Sequence, residues 1–124
     1  CSTKEIQSDR MKTVSRFTER FPEVITVLKG AGTLTASGNR VFESPTGNPG
    51  MSTGGSGDVL AGIAASFAAQ NRGAASLFDL AVSAVWIHGR AGDLAAEHLS
   101  EFSMLPEDII SFLGMVFREL GNVD

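Results

Sequence analysis

The sequence predicts an α/β fold: a short sheet with a hairpin, followed by three helices. Three stretches predict it. Residues 24–29 read V-I-T-V-L-K, a β-branched run with little alternation, as in a strand buried on both faces of a parallel sheet. Ser37-Gly38-Asn39 is a glycine-containing turn between two short strand-like segments. Residues 44–61, S-P-T-G-N-P-G-M-S-T-G-G-S-G-D-V-L-A, are a glycine-rich loop that runs directly into small apolar helix formers.

In chain order, residues 2–20 carry Ile6, Met11, Val14 and Phe17 near one face and charges mostly on the other, an amphipathic helix that Pro22 ends. The expected strand over residues 24–29 ends in Lys29-Gly30-Ala31-Gly32-Thr33. Ligands of open α/β sheets gather outside the carboxyl ends of strands, so Lys29 is a candidate point charge for a phosphate. Residues 33–36 and 40–43 form the expected hairpin strands, and Asn48-Pro49-Gly50 marks a turn within the loop.

A helix opens at Ser56 or Gly57 and ends near Gln70. Ser76 caps the next, which is apolar nearly all round up to Ile87 and runs to about Leu99. The string His88-Gly89-Arg90-Ala91-Gly92-Asp93 is expected to interrupt it through its two glycines. His88 and Asp93 invite an acid–base pairing, but their spacing does not put them on one helical face, and His88 reads as a satisfied core residue. Pro106-Glu107-Asp108 opens the last helix, with Arg118 and Gly121 as its C-terminal signals.

Composition narrows the functional classes. The chain has 124 residues and fits at most one small domain. A net charge of −4 without a basic run argues against a nucleic-acid surface. No apolar run reaches the roughly 18 residues a membrane span needs. A lone cysteine, Cys1, forms no internal disulfide, and a reducing cytoplasm is the expected compartment. Starting at Cys1 rather than methionine, the chain is expected to be a piece of a longer polypeptide.

The chemistry concentrates in the glycine-rich loop. Successive glycines let backbone N–H groups approach a ligand, and a helix N-terminus adds partial positive charge, so the two together suit a phosphate. Asp58 is the odd member. As a bare cap it would contribute only about 0.3–1 kcal/mol through the helix dipole; beside a phosphate it makes more sense as a base. No P-loop lysine motif is present, and the Rossmann pattern is not matched.

The full string N-P-G-M-S-T-G-G-S-G-D-V-L-A-G, residues 48–62, resembles the signature of the ADP/ATP-dependent NAD(P)H-hydrate dehydratases, a branch of the ribokinase-like superfamily. The K-G-x-x-T segment and the H-G-x-A-G-D string are similar to stretches of the same family, and the likeness extends over about residues 8–120. It implies a three-layer α/β/α ribokinase-like fold, with residues 1–124 as the C-terminal portion of a single domain about twice as long. It implies nucleotide contacts at Lys29, Gly30, Ala31, Gly32, Thr33 and Gly57, and an anion hole from Gly55, Ser56 and Gly57. Asp58 would be the catalytic base, with Asn48 and Asp58 toward the substrate.

The implied reaction phosphorylates the ring hydroxyl of NADHX or NADPHX with ADP or ATP and eliminates phosphate. Mg²⁺ comes with the nucleotide rather than in a protein metal cluster. The implied partner is the N-terminal half of the domain, without which the sheet is short and activity poor; a homo-oligomer stays open. Another ribokinase-like small-molecule kinase and a non-catalytic nucleotide-binding module are the alternatives.

Overall fold

The structure, a computed structural model, describes residues 3–121, and side-chain surroundings there except those of Thr3, Lys4 and Ile6. Cys1, the helix start at Ser2 and the apolar role of Ile6 therefore lie outside the described residues.

The first helix, α1 (Thr3–Arg20), lies on a three-stranded sheet of β1 (Thr26–Leu28), β2 (Leu34–Ser37) and β3 (Arg40–Glu43). Val14 packs on Leu34 and Ala36, all three buried. The expected apolar face is corrected here. Met11 and Phe17 are 40% and 41% exposed, and the buried partner of Val14 on the helix is Thr18, whose hydroxyl donates to the Ser15 carbonyl. Gln7, Arg10, Val14 and Thr18 follow the three-to-four residue spacing of one helical face. Arg10 donates to the Leu28 carbonyl at the end of β1 and Gln7 to the Ala31 carbonyl in the turn after it, which turns that partly polar stripe toward the sheet.

The strand expected over residues 24–29 is also corrected. It is three residues long, half-buried with Val27 exposed, and antiparallel to β2, with Thr26 opposite Ala36 and Leu28 opposite Leu34. Five residues separate β1 from β2, whereas a parallel partner needs a crossover of about a dozen or more. The other edge of β1 pairs with no strand among the described residues. The hairpin forms as read: β2 and β3 pair antiparallel from Leu34 opposite Glu43 to Ser37 opposite Arg40, and Gly38 supplies the positive φ of the two-residue turn.

Three helices follow: α2 (Ser56–Gln70), α3 (Leu77–Leu99) and α4 (Pro106–Gly121). Ser76 caps α3 by accepting from the Asp79 N–H. The long α3 is the spine of this half. Leu60 and Ile63 of α2 pack on Ala84 and Val85, while Ile109 and Val116 of α4 pack on Ile87, Ala91 and Leu94.

The expected interruption at residues 88–93 does not occur, and α3 runs through both glycines. Each glycine seats the glycine-rich loop. A Cβ on Gly89 would stand 2.7 Å from the Thr46 carbonyl carbon, and one on Gly92 would overlap the Met51 side chain. Packing overrides a helix cost of about 1 kcal/mol per glycine.

Candidate functional site

A cavity of about 620 Å³ opens where three segments meet: the 29–33 turn after β1, the loop over residues 46–53, and the first turn of α2. Val85, His88 and Gly89 of α3 complete its wall.

The 29–33 turn is held from behind by α1. Arg10 donates to the carbonyls of Ala31 and of Leu28 (3.1 Å for the latter), and Gln7 adds a bond to Ala31 at 3.2 Å. Gly32 adopts φ +65°, and a Cβ there would collide with the Glu43 carboxylate. With its carbonyls drawn toward α1, the turn leaves Lys29 exposed at the cavity. The ammonium crosses to α2: a methyl added to Gly57 would run into Lys29 Nζ. Among the described residues no carboxylate pairs with it.

The 46–53 loop is fastened to α3. Thr46 Oγ1 donates to the Trp86 carbonyl at 2.9 Å. The Asp93 carboxylate accepts from the Gly47 N–H at 3.1 Å and from Asn48 Nδ2 at 2.9 Å, while Asn48 Oδ1 accepts from the Gly50 N–H at 3.0 Å. Gly50 sits within one turn of 3₁₀ helix, Pro49–Met51, and lies so close to residue 101 that a Cβ would meet the Glu101 carbonyl oxygen at 2.7 Å.

The α2 N-terminus begins at Gly55, in the left-handed region at φ +99°, and no side chain caps it. The N–H groups of Ser56, Asp58 and Val59 find carbonyls of residues 53 and 55. That of Gly57 has no acceptor among the described residues. It is an unfilled donor at the positive end of a helix, beside a lysine ammonium.

Beneath it, the buried His88 bonds through Nε2 to the Ser56 carbonyl at 2.9 Å, with Ser56 Oγ 3.4 Å away. Burial lowers the imidazole pKa below its ordinary value; the bond to Ser56 opposes that shift and the Lys29 charge adds to it. A neutral ring keeps one proton, and on Nε2 that proton is donated to the carbonyl. His88 is thus the satisfied core histidine of the sequence reading, and Asp93 turns to the loop rather than to it.

The candidate residues divide between two places. Lys29, Gly30, Ala31, Gly32, Thr33, Asn48, Ser56 and Gly57 line the one cavity. Gly55 lines neither cavity and packs on Pro106. Asp58, one residue past Gly57, is exposed and faces a second, apolar cavity of about 530 Å³ between α2 and α4, with Phe67, Leu113 and Phe117. The structural roles of Arg10, Thr46 and Asp93 escaped sequence reading: Arg10 looked like one charge on a solvated face, and the loop partners of Asp93 lie 45 and 46 residues away. The described residues hold no group of three or more His, Cys, Asp or Glu able to bind a metal, and no helix long and apolar enough to cross a membrane.

A family model described as NAD(P)H-hydrate dehydratase matches residues 1–114. The bifunctional NAD(P)H-hydrate repair enzyme Nnr of Vibrio cholerae is 38% identical over 122 residues, 98% of this chain and 23% of that protein. The ADP-dependent (S)-NAD(P)H-hydrate dehydratase of Neisseria meningitidis is 38% identical over 94 residues, 75% of this chain and 30% of that protein. The chain thus spans less than a third of the length of either relative. Among solved structures, the Bacillus subtilis ADP/ATP-dependent NAD(P)H-hydrate dehydratase co-crystallised with ATP and Mg²⁺ shares the fold, with a TM-score of 0.82 at 24% identity, over 94% of this chain and 41% of that one.

Proposed function

The chain belongs to the NAD(P)H-hydrate dehydratase family, and from that premise we propose that it takes part in dehydrating (6S)-NADHX and (6S)-NADPHX to NADH and NADPH with ADP or ATP. One observation carries the reading: the unfilled Gly57 N–H, the Lys29 ammonium and the 29–33 turn converge on a single cavity at a helix N-terminus. That is a phosphate-binding arrangement.

The nucleotide phosphates occupy the cavity, with the unfilled Gly57 N–H toward the transferring group and the Gly55 and Ser56 amides next to it in the chain. Amides preorganised in this way contribute on the order of 3 kcal/mol each to transition-state stabilisation. The acceptor hydroxyl approaches from the Asp58 side of the same turn. Its oxygen bonds to the terminal phosphorus, the bridging P–O bond breaks, and the nucleotide leaves with that electron pair. Asp58 takes the hydroxyl proton. The ring C–O bond then breaks, phosphate departs with the pair, a ring C–H proton is lost and the double bond of the dihydronicotinamide returns. Mg²⁺ would come with the nucleotide and would neutralise phosphate charge during the transfer.

Residues 1–124 form, in this reading, the C-terminal portion of one ribokinase-like domain. The extent of the match to the solved dehydratase supports it. The N-terminal portion would pair the free edge of β1 and enclose the hydrate, so the chain alone turns over poorly. The cytoplasm, where reduced nicotinamide cofactors are used, is the compartment that fits.

The test is NADH formation from NADHX with ADP or ATP and Mg²⁺, run on the chain within its longer polypeptide. NADH growth with one nucleotide supports the reading and names the donor. Nucleotide binding without NADH points to another small-molecule hydroxyl as acceptor. The exposed Asp58 carboxylate, without an ion-pair partner among the described residues, favours a second reading, a nucleotide-binding module in which Asp58 only complements the helix dipole.

A further inference from the structure

We propose that His88 is the positioning residue of the phosphate site: its Nε2–H, donated to the Ser56 carbonyl, orients the Ser56–Gly57 peptide so that the Gly57 N–H faces the cavity. The inference rests on reading that cavity as a phosphate site, and not on which hydroxyl accepts the phosphoryl group.

The peptide unit is planar and trans, so its C=O and N–H point in opposite directions, and fixing one end fixes the other. Here the C=O end belongs to Ser56 and is held at 2.9 Å by His88; the N–H end is the unfilled donor of Gly57. The tether adds to the first-turn bonding of α2 at a place where the backbone is little restricted. Gly54, Gly55 and Gly57 flank Ser56, and glycines restrict backbone rotation least. No side chain caps the helix to do the same work.

The anchor itself is rigid. His88 is 7% exposed and rises from α3 one turn after Ala84 and Val85, which are packed under Leu60 and Ile63 of α2. The same α3 fastens the facing loop through Trp86 and Asp93. One helix therefore sets the distance between the two walls of the cavity.

The experiment compares the longer polypeptide that contains this chain, as wild type, with its His88→Leu and His88→Gln variants by NMR, using ADP as the probe. Wild-type imidazole ¹⁵N shifts are expected to show the Nε2–H neutral tautomer. His88→Leu is expected to move the Gly57 amide resonance and to weaken ADP binding about tenfold, the size of one lost hydrogen bond. His88→Gln, whose amide N–H reaches about as far as Nε2, is expected to restore both to near wild type. An Nδ1–H tautomer overturns the inference, since Nε2 then cannot donate to a carbonyl. So does a folded His88→Leu chain whose ADP affinity and Gly57 resonance are unchanged. If His88→Leu fails to fold, the tautomer and the His88→Gln chain decide. Failure of wild type to bind ADP overturns the nucleotide reading itself, whereas normal wild-type binding with indifferent variants overturns this inference alone.

Discussion

The two faces of the turn at residues 55–58 are finished to different degrees. On the Lys29 face three side chains fix the walls: Arg10 behind the 29–33 turn, Asp93 on the loop, His88 on Ser56. What stays unfilled there, the Gly57 N–H and the Lys29 ammonium, points one way. On the Asp58 face the carboxylate is exposed, and Ile110 and Phe117 beside it are 54% and 47% exposed. In the proposed reading the phosphate-holding surface lies within this chain, while the surface that would enclose an acceptor does not. Binding and turnover should separate accordingly.

The largest separation is expected from Asp58→Asn in the longer polypeptide. Loss of a general base lowers turnover by roughly 10²–10⁴-fold, while ADP affinity stays within about twofold, because the side chain is outside the Lys29 cavity. Steady-state NADH formation beside calorimetric ADP binding reads both. Equal loss of both would put Asp58 and the nucleotide on one face and end the comparison. The converse variant, Lys29→Met, removes the ammonium beside Gly57 and is expected to weaken ADP binding about 10–100-fold, the range of a charged hydrogen bond. Its salt dependence should fall as well.

Much of the finished face was legible in the sequence, because its chemistry is local. The glycine run, Ser56 and Asp58 announce a loop entering a helix, and the left-handed Gly55 stands where the helix was expected to open. The hairpin turn and the Ser76 cap were equally local. What sequence missed depends on distant contacts. V-I-T-V-L-K has the composition of a doubly buried parallel strand, yet its described neighbour is the next strand after a five-residue turn. Gly89 and Gly92 look like helix breakers until Thr46 and Met51 are seen against them. Arg10 and Asp93 acquire their roles only when the chain has folded.

The same substitution can sharpen the contrast with opposite signs. Gly89→Ala drives a methyl into the Thr46 backbone on the finished face, and overpacking of that kind costs about 1–3 kcal/mol. Gly62→Ala, in α2 on the open face, meets nothing within 4 Å and gains helix propensity, about 0.5–1 kcal/mol of added stability. Urea unfolding of the two variants measures the difference. Equal and small effects would mean that the loop yields, and that the finished face is softer than its hydrogen bonds imply.

The smallest expected effect is on pH, and it too belongs to one face. The buried His88, with the Lys29 ammonium nearby, has its pKa lowered by desolvation first, partly opposed by the bond to Ser56. The unfolded chain binds that proton more readily than the folded one. The contribution of His88 is therefore full above its unfolded value of about 6.5 and declines as pH falls below it toward the folded value. Urea midpoints at about pH 7.5 and about pH 5.5 should accordingly differ more in wild type than in His88→Gln, whose side chain does not titrate in that window. Matching losses in the two chains would assign the acid sensitivity to groups elsewhere. The finished face would then lack the pH-dependent element that a neutral, carbonyl-bound imidazole gives it.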